Sequence, residues 1–290
     1  QAKKDLSVTA QSIDNQSGQM NSQGHLQLTS QQAINNLEGL IAADLGLKLN
    51  SQGLNNNRGQ IGSAQGDVDL NAGNGLLSNQ AGVVLSGKAL KLNADQVDNS
   101  NKGQINSQAD LAISTVKDIN NQSGVIASNQ QLSLKSQGLN NNAGQIGSIH
   151  AGVVVDSGSG VVDNNSGVIQ AQNDIQLKAQ QLNSHLGKIS SEKAIELNID
   201  QAIDNSAGQI VANDAIAIQS QGLNNDQGQI ASIKAQLSIN AGTGLLSNQS
   251  GSLQSAKDIE IKAERLHSQS GLINAQGSIQ AQIQQEIDNN

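Results

Sequence analysis

A tripeptide of glycine, any residue and an aliphatic residue recurs thirteen times along this chain, and its spacing constrains the fold more than any other feature. The glycines run from Gly18 to Gly271 at intervals of 20, 21 or 23 residues. A near-constant period of this length is the signature of a repeat architecture, in which each repeat is one supersecondary unit. The aliphatic residues of the tripeptides are Met20, Ile41, Ile61, Val84, Ile105, Ile126, Ile146, Ile169, Ile189, Ile210, Ile230, Leu253 and Ile273.

Each repeat consists of three short stretches in which aliphatic or small residues alternate with polar ones. One repeat reads Ile175-x-Leu177-x-Ala179, then Leu182-x-Ser184, then Gly187-x-Ile189-x-Ser191. Alternation with a period of two is typical of a strand that buries one face. No stretch shows the sustained i, i+3, i+4, i+7 pattern of an amphipathic helix. We therefore expect three strands per repeat, separated by polar or glycine-containing corners, and no long helix.

A longer period is superimposed on the first. The hexapeptide at residues 51–56 returns almost unchanged at residues 136–141 and 220–225. Four repeats thus form a super-repeat of 84–85 residues, and the 23-residue spacing recurs once in each. Duplication of a four-coil block explains this pattern most simply.

The composition indicates how the repeats must be arranged. The chain has no aromatic residue, cysteine or proline, so its interior has to be filled by aliphatic and small side chains. The few aliphatic side chains that a single repeat can bury do not offset the conformational entropy that the repeat loses when it becomes ordered. Repeats must therefore stack and share a continuous core, as in a solenoid. We predict an all-β parallel β-solenoid of about 14 coils at ~4.8 Å, roughly 65 Å long, as one array over residues 1–290.

The second residue after the middle aliphatic is asparagine in eleven coils and serine in two. Asparagine tolerates left-handed backbone geometry and bonds its own backbone at turns, so we expect a corner here. Side chains stacked from coil to coil are expected to form an amide ladder. Because the position is nearly invariant, we interpret it as structural. These residues are Asn15, Asn36, Asn56, Asn79, Asn99, Asn121, Asn141, Asn164, Ser184, Asn205, Asn225, Asn248 and Ser268.

No catalytic, cofactor or metal site is predicted, and we do not expect an enzyme. Asp67 and Asp69 form the nearest approach to an acidic pair, but in register Asp69 falls between Lys48 and Lys91. They are interpreted as solvated strand positions, with a weak cation site as the alternative. Lyase-type β-helices use clustered charges and aromatic side chains that this chain lacks. The four histidines, which fall in separate coils and are interpreted as scattered surface residues, are His25, His150, His185 and His267.

Charge and hydropathy exclude several other classes. The net charge is −8 with two arginines, which excludes a nucleic-acid footprint. No apolar run is long enough to span a bilayer. A leucine-rich repeat of similar period needs a helical segment and a different asparagine position, and calcium-binding nonapeptides need glycine–aspartate runs that are absent. Four scattered threonines do not form the flat arrays of ice-binding solenoids.

The pattern Leu-Asn-Asn-x-x-Gly-x-Ile, followed by a small residue and Leu-x-Leu-x-Ala, resembles the filamentous haemagglutinin repeat. Its clearest copies are residues 54–61, 139–146 and 223–230. The resemblance implies a right-handed β-helix in a bacterial cell-surface filament. It also implies export through an outer-membrane two-partner-secretion transporter, as for haemagglutinin adhesins and contact-dependent growth inhibition toxins. Both ends break off within the repeat, so we expect a fragment of a longer array.

Two functions remain open from the sequence. The first is a structural stalk that projects a distal receptor-binding or toxin region, with any contact to a target-cell or host receptor made by other regions of the parent protein. The second is an adhesive module that binds host glycan or neighbouring filaments through its own lateral face. No single face stands out in the sequence, and interface hot spots normally contain tryptophan, tyrosine or arginine.

Overall fold

The computed structural model describes residues 1–290 and contains strands but no helix. The chain is a right-handed parallel β-helix of about 13 turns with roughly 21 residues per turn, which confirms the predicted fold class. The expected count of about 14 also included the last coil, of which the first and second strands are present but not the third. Two compact units are present, Gln1–Asn140 and Asn141–Asn290.

The two units contain 39 strands between them, most of two to five residues. Those of the first unit are β1 (Leu6–Ala10), β2 (Ile13–Asp14), β3 (Gln19–Ser22), β4 (His25–Ser30), β5 (Ile34–Asn35), β6 (Leu40–Ala43), β7 (Gly46–Asn50), β8 (Leu54–Asn55), β9 (Gln60–Ser63), β10 (Val68–Asn71), β11 (Leu76–Ser78), β12 (Val83–Ser86), β13 (Leu90–Ala94), β14 (Gln96–Asp98), β15 (Gln104–Ser107), β16 (Leu111–Thr115), β17 (Asp118–Asn120), β18 (Val125–Ser128), β19 (Leu132–Lys135) and β20 (Gly138–Asn140). Those of the second are β21 (Gln145–Ser148), β22 (Val153–Asp156), β23 (Val161–Asp163), β24 (Val168–Ala171), β25 (Ile175–Ala179), β26 (Gln181–Asn183), β27 (Lys188–Ser191), β28 (Ile195–Ile199), β29 (Ile203–Asp204), β30 (Gln209–Ala212), β31 (Ile216–Gln219), β32 (Leu223–Asn224), β33 (Gln229–Ser232), β34 (Leu237–Asn240), β35 (Leu245–Ser247), β36 (Ser252–Ser255), β37 (Ile259–His267), β38 (Leu272–Ala275) and β39 (Ile279–Asp288).

Each complete coil uses a first, a second and a third strand, as the alternation predicts. Strands β13, β14 and β15 are one such set, and each pairs in parallel with its counterpart in the next coil. The third strand begins directly after the glycine of the Gly-x-aliphatic tripeptide and contains its other two residues. In β37 and β39 the first and second strands merge into one longer strand.

The predicted coil register is confirmed by the strand pairs. Ile105 pairs with Ile126, so equivalent aliphatic residues of neighbouring coils lie directly above one another. Four aliphatic columns result, two from the first strand and one from each of the others, and nearly all of their members are buried. Burying each such side chain contributes about 1.5–3 kcal/mol, and this happens only when the adjacent coil covers it.

The 23-residue coils place their additional residues between the first and second strands. In the first unit a four-residue turn, residues 72–75, separates β10 from β11, and Gly73 adopts a φ of 54°. The same turn recurs in the second unit with Gly158 at 52° and Gly242 at 56°. The extra residues therefore leave the register of the core columns unchanged.

The predicted amide ladder is present at the corner between the second and third strands, which we call the asparagine corner. Asn36 Nδ2 donates to Asn56 Oδ1 of the next coil at 2.7 Å, and Asn56 Nδ2 donates to Asn79 Oδ1 at 2.6 Å. The same Asn56 amide also approaches the carbonyl oxygens of Gly59 at 3.3 Å and Val83 at 3.2 Å. One buried side chain thus connects its own corner to the coil that follows.

The left-handed residue of this corner is not the asparagine. It is the residue that precedes the glycine, with φ values of 52° at Ser17, 56° at Glu38 and 55° at Arg58. Where the corner contains one extra residue, both Asn101 and Lys102 have positive φ, and the ladder continues. These exposed positions accept many side chains, which is why no sequence signature marks them.

The corner glycine is required because it has no Cβ. A Cβ at Gly59 would collide with the carbonyl oxygen of Asn36 in the preceding coil, and ten further corner glycines meet a similar carbonyl. Its φ is not positive, so backbone freedom does not explain it. The glycine therefore recurs in every complete coil because neighbouring coils approach each other closely at this corner.

A second polar column, which the sequence analysis missed, lies at the end of the third strand. Ser107 Oγ lies 2.8 Å from the Asp110 carbonyl oxygen and 2.6 Å from that of Lys88, so its single O–H is shared between these two acceptors, and it accepts the Ala109 N–H at 3.2 Å. Ser86 and Ser255 make equivalent contacts. The small residue two positions after the aliphatic of the tripeptide is thus a second connection between coils, replaced by alanine in some of them.

We expect Gly59→Ala to destabilise the chain by about 3 kcal/mol, because the new Cβ must displace the Asn36 carbonyl. The matched control is Gly147→Ala, whose Cβ would lie 3.3 Å from the flexible Gln170 side chain and at an ordinary contact distance of 3.5 Å from the Gln170 carbonyl oxygen. Urea unfolding followed by circular dichroism measures both variants. Equal midpoints for the two variants would contradict the close-approach explanation.

We expect Ser184→Asn to stabilise the second unit by about 1 kcal/mol. Ser184 accepts from Asn164 Nδ2 at 3.2 Å, but Asn205 Oδ1 in the next coil is buried and has no hydrogen-bond partner. An amide at position 184 supplies the missing donor. Thermal or urea unfolding checks this, with Ser190→Asn on the outer surface as the control. A loss of stability on Ser184→Asn would show that the ladder does not determine the corner's stability.

Candidate functional site

Three lateral faces in each unit are the surfaces available for function. We name them after the strand that supplies their outward side chains. The first-strand face of the first unit contains Lys48, Asp69 and Lys91, and its third-strand face contains residues such as Gln60 and Leu85. The interior is filled by the aliphatic columns and the two polar columns, so a partner that approaches from the side has to bind on these faces.

Asp67 and Asp69 occupy the predicted register but serve different purposes. Asp69 lies between Lys48 and Lys91, and its Oδ2 is 3.9 Å from Lys48 Nζ. Asp67 precedes β10, and its Oδ1 accepts the Ala89 N–H of the next coil at 3.0 Å. The two carboxylates are thus engaged with different neighbours.

The contact made by Asp67 is one of a set that sequence reasoning missed. In five coils an aspartate before the first strand accepts the N–H of the equivalent position one coil later. The donor–acceptor distances range from 2.7 to 3.0 Å. These aspartates connect successive coils on the outside, as the asparagines do on the inside. They are Asp5, Asp67, Asp110, Asp174 and Asp258.

Asp258 has the strongest version of this contact. Its Oδ1 accepts the Ser278 N–H at 2.7 Å and the Ser278 hydroxyl at 2.9 Å. These bonds favour the carboxylate and lower the pKa of Asp258 below its ordinary value, the backbone bond contributing most. Their stabilising effect is therefore present above the ordinary pKa and is lost as the pH falls through the lowered one.

Ion pairs link neighbouring coils at exposed positions. Arg58 Nη2 lies 2.8 Å from Glu38 Oε1, and both residues occupy left-handed positions of the asparagine corner. Lys117 Nζ lies 2.7 Å from Asp95 Oδ2, a hydrogen bond that raises the pKa of Lys117. Exposed pairs of this kind contribute little to stability because solvent screens them.

The histidines are not brought together. His25, His150 and His185 are exposed, and His150 lies between β21 and β22, as predicted. His185 Nδ1 is 2.9 Å from the Ser206 hydroxyl. His267 is half-buried, with its Nε2 3.7 Å from Glu286 Oε2.

A shallow polar trough of about 270 Å³ lies on the first-strand face of the second unit. It exists because Ala217 and Ser238 are short, while the longer Glu196 and Glu260 stand on either side of them. Amide side chains and Lys262 line its other edge. Such a surface presents hydrogen-bonding groups to a polar ligand.

Two further observations concern the chain as a whole. No three histidine, aspartate or glutamate side chains are grouped closely enough to share a metal ion. The structure also contains no helical segment of the length and hydropathy that crossing a lipid bilayer requires.

We expect Ser278→Ala to raise the pKa of Asp258 only part of the way to its ordinary value, because the larger contribution comes from the backbone N–H, which remains. Carboxyl-resolved NMR titration of the two proteins measures the difference. Ser114→Ala, at an exposed site in the first unit, is the control and should leave Asp258 unchanged. An unchanged titration in Ser278→Ala would contradict the assigned cause.

Comparison with known proteins identifies one family. The haemagglutinin repeat model matches seven overlapping stretches that together cover the chain. Neither the curated proteins nor the solved structures that were compared give a match. Haemagglutinin repeats are typical of secreted or cell-surface filamentous adhesins, and their β-helix is structural or adhesive and not typically enzymatic. The matched stretches are residues 1–53, 35–67, 63–122, 114–152, 147–207, 194–236 and 232–290. The chain therefore belongs to the haemagglutinin repeat family.

Proposed function

We propose that this chain is a stalk segment of a large secreted cell-surface filament. The segment projects a distal receptor-binding or toxin region away from the cell, in adhesion or in contact-dependent growth inhibition. The observation that carries the proposal is the repeated pair of polar columns. In each unit, buried asparagine and serine side chains are used to bond one coil to the next.

A stalk needs a length that can be set by adding identical parts. Within each unit, every additional coil adds about 4.8 Å and repeats the same corner bonds. Stability in such an array is a sum of repeat and nearest-neighbour contributions, so length can change without redesign of the core. The absence of cysteine also means that no disulfide forms before or during passage through a pore.

The family's association with exported filaments supports a route to the cell surface. We propose that the parent protein leaves the cell through an outer-membrane transporter of the two-partner-secretion type. A target-cell or host receptor would then be engaged by other regions of that parent protein. The chain itself needs no cofactor in this role.

The alternative is an adhesive module that binds through its own side. One observation favours it, namely the polar trough between Glu196 and Glu260. Carboxylates, amides and a lysine suit the hydroxyl groups of a host glycan, although aromatic stacking partners are absent. This alternative makes residues of the second unit indispensable, whereas a stalk does not.

Two deletions in the parent filament separate these functions. Deleting residues 51–135 or residues 136–219 removes four coils and rejoins the super-repeat in register, but only the second deletion removes part of the trough. A stalk predicts that both filaments still bind target cells, with reach shortened by about 19 Å in electron micrographs.

Loss of binding after the second deletion alone would instead support the adhesive module. A strain without the partner transporter is the control for export and should display no filament. Display of the filament in that strain would contradict the proposed route.

A further inference from the structure

The third-strand face of residues 1–140 is striped. Each of its six strands presents two outward residues, and amide-bearing strands alternate with apolar ones. Amides stand at β3, β9 and β15, whereas β6, β12 and β18 present only aliphatic side chains. We call this set the striped face. Its members are Gln19, Asn21, Leu40, Ala42, Gln60, Gly62, Val83, Leu85, Gln104, Asn106, Val125 and Ala127.

The striped face contains no charged residue. By contrast, the first-strand face of the same unit contains Lys48, Asp69, Lys91 and Lys135 among its outward positions. The whole chain carries a net charge of −8, so two copies repel each other in most orientations. The striped face is the surface on which two copies approach without bringing charged side chains together.

The shape of the striped face is also suited to packing against a flat partner. Gly62 leaves a hollow of about 250 Å³ beside Leu40, Val83 and Leu85. Leu85, the register partner of Gly62 in the next coil, is 47% exposed. The hollow beside the exposed leucine leaves room for a side chain of a partner.

We propose that the striped face binds the striped face of a second copy of this chain, with the two copies parallel. A two-fold axis along the stacking direction places each strand opposite the same strand of the partner. Val83 then faces Leu85 of the second copy and Gln104 faces Asn106, so apolar stripes meet apolar stripes and amides meet amides. Such an interface is isologous and self-complementary.

The parallel arrangement matches all six strands. In an antiparallel arrangement the two-fold axis is perpendicular to the stacking direction. To pair apolar strands with apolar strands, this axis must pass through one of the six strands. At least one strand of each copy then has no counterpart in the other copy. Filaments that leave the same cell surface also share a direction, which the parallel pair requires. The inference is nevertheless independent of the stalk function, because it concerns one face of the isolated chain.

The small area of the striped face sets the expected strength. Six strands of four residues cover about 13 by 24 Å, or about 300 Å² per copy. Stable dimers bury about 800 Å² per partner. We therefore expect a weak association, with a dissociation constant of about 0.1–1 mM, that becomes relevant where many copies are held side by side.

The second unit does not repeat the stripes. Its third-strand face contains Lys188, and Gln209 shares its strand with Val211, so apolar and polar positions are mixed. The proposed contact is thus confined to the first unit.

Sedimentation equilibrium of the full chain over a concentration series up to about 1 mM tests the proposal. Leu85→Lys places a cation in an apolar stripe and is expected to weaken dimerisation at least tenfold. The matched control is Leu45→Lys, because Leu45 is 48% exposed, lies off the striped face and gives the same change in charge. Circular dichroism verifies that both variants keep the wild-type fold.

The proposal is supported if the wild type and Leu45→Lys dimerise equally and Leu85→Lys does not. It is overturned if the wild type stays monomeric throughout, or if all three proteins associate equally, which would indicate association through the ends.

A cross-link provides a second measurement. Leu85→Cys introduces the only thiol, and a short bis-maleimide should link copies through it but not through Leu45→Cys. Failure of this contact would leave the deletion test of the stalk unaffected.

Discussion

The asparagine corner is the interaction on which the rest of this structure depends. At most corners a buried amide donates to the amide of the next coil, and a glycine without a Cβ allows the coils to approach. Buried amides are costly unless bonded, so a shift of register by one residue would leave a whole column unsatisfied. The corner therefore determines which residues stack, and the aliphatic columns follow from that choice.

A fold specified in this way leaves its surface free to vary. The left-handed residue of the corner faces solvent and is serine, alanine, glutamate, glutamine, arginine, lysine or leucine in different coils. Outward strand positions vary as well, so one face collects charges while another stays uncharged. This separation suits a filament, because the interior maintains the stack and each face is available for a different contact. The haemagglutinin repeat family provides the setting in which such a filament is exported.

Much of the fold follows from the sequence because the repeat reveals it thirteen times. The pairing of Ile105 with Ile126, the position of Asp69 between two lysines and the amide ladder were all predictable from period and register. The role of the glycine was not, because its cause is a carbonyl in another coil. The serine column went unnoticed because alanine replaces serine in some coils. The striped face becomes visible only when strands about 21 residues apart are aligned, and the aspartate contacts occur in only five coils.

Side-chain amide hydrogen exchange, measured by NMR, tests the central claim most directly. The Nδ2 protons of ladder residues such as Asn36, Asn56 and Asn225 should exchange several orders of magnitude more slowly than those of the exposed Asn74. The ladder amides should also exchange at similar rates, because breaking any one of these hydrogen bonds requires the separation of two coils. Exchange of the ladder amides at the rate of Asn74 would contradict the account, since it would show that these side chains are not held in bonded columns.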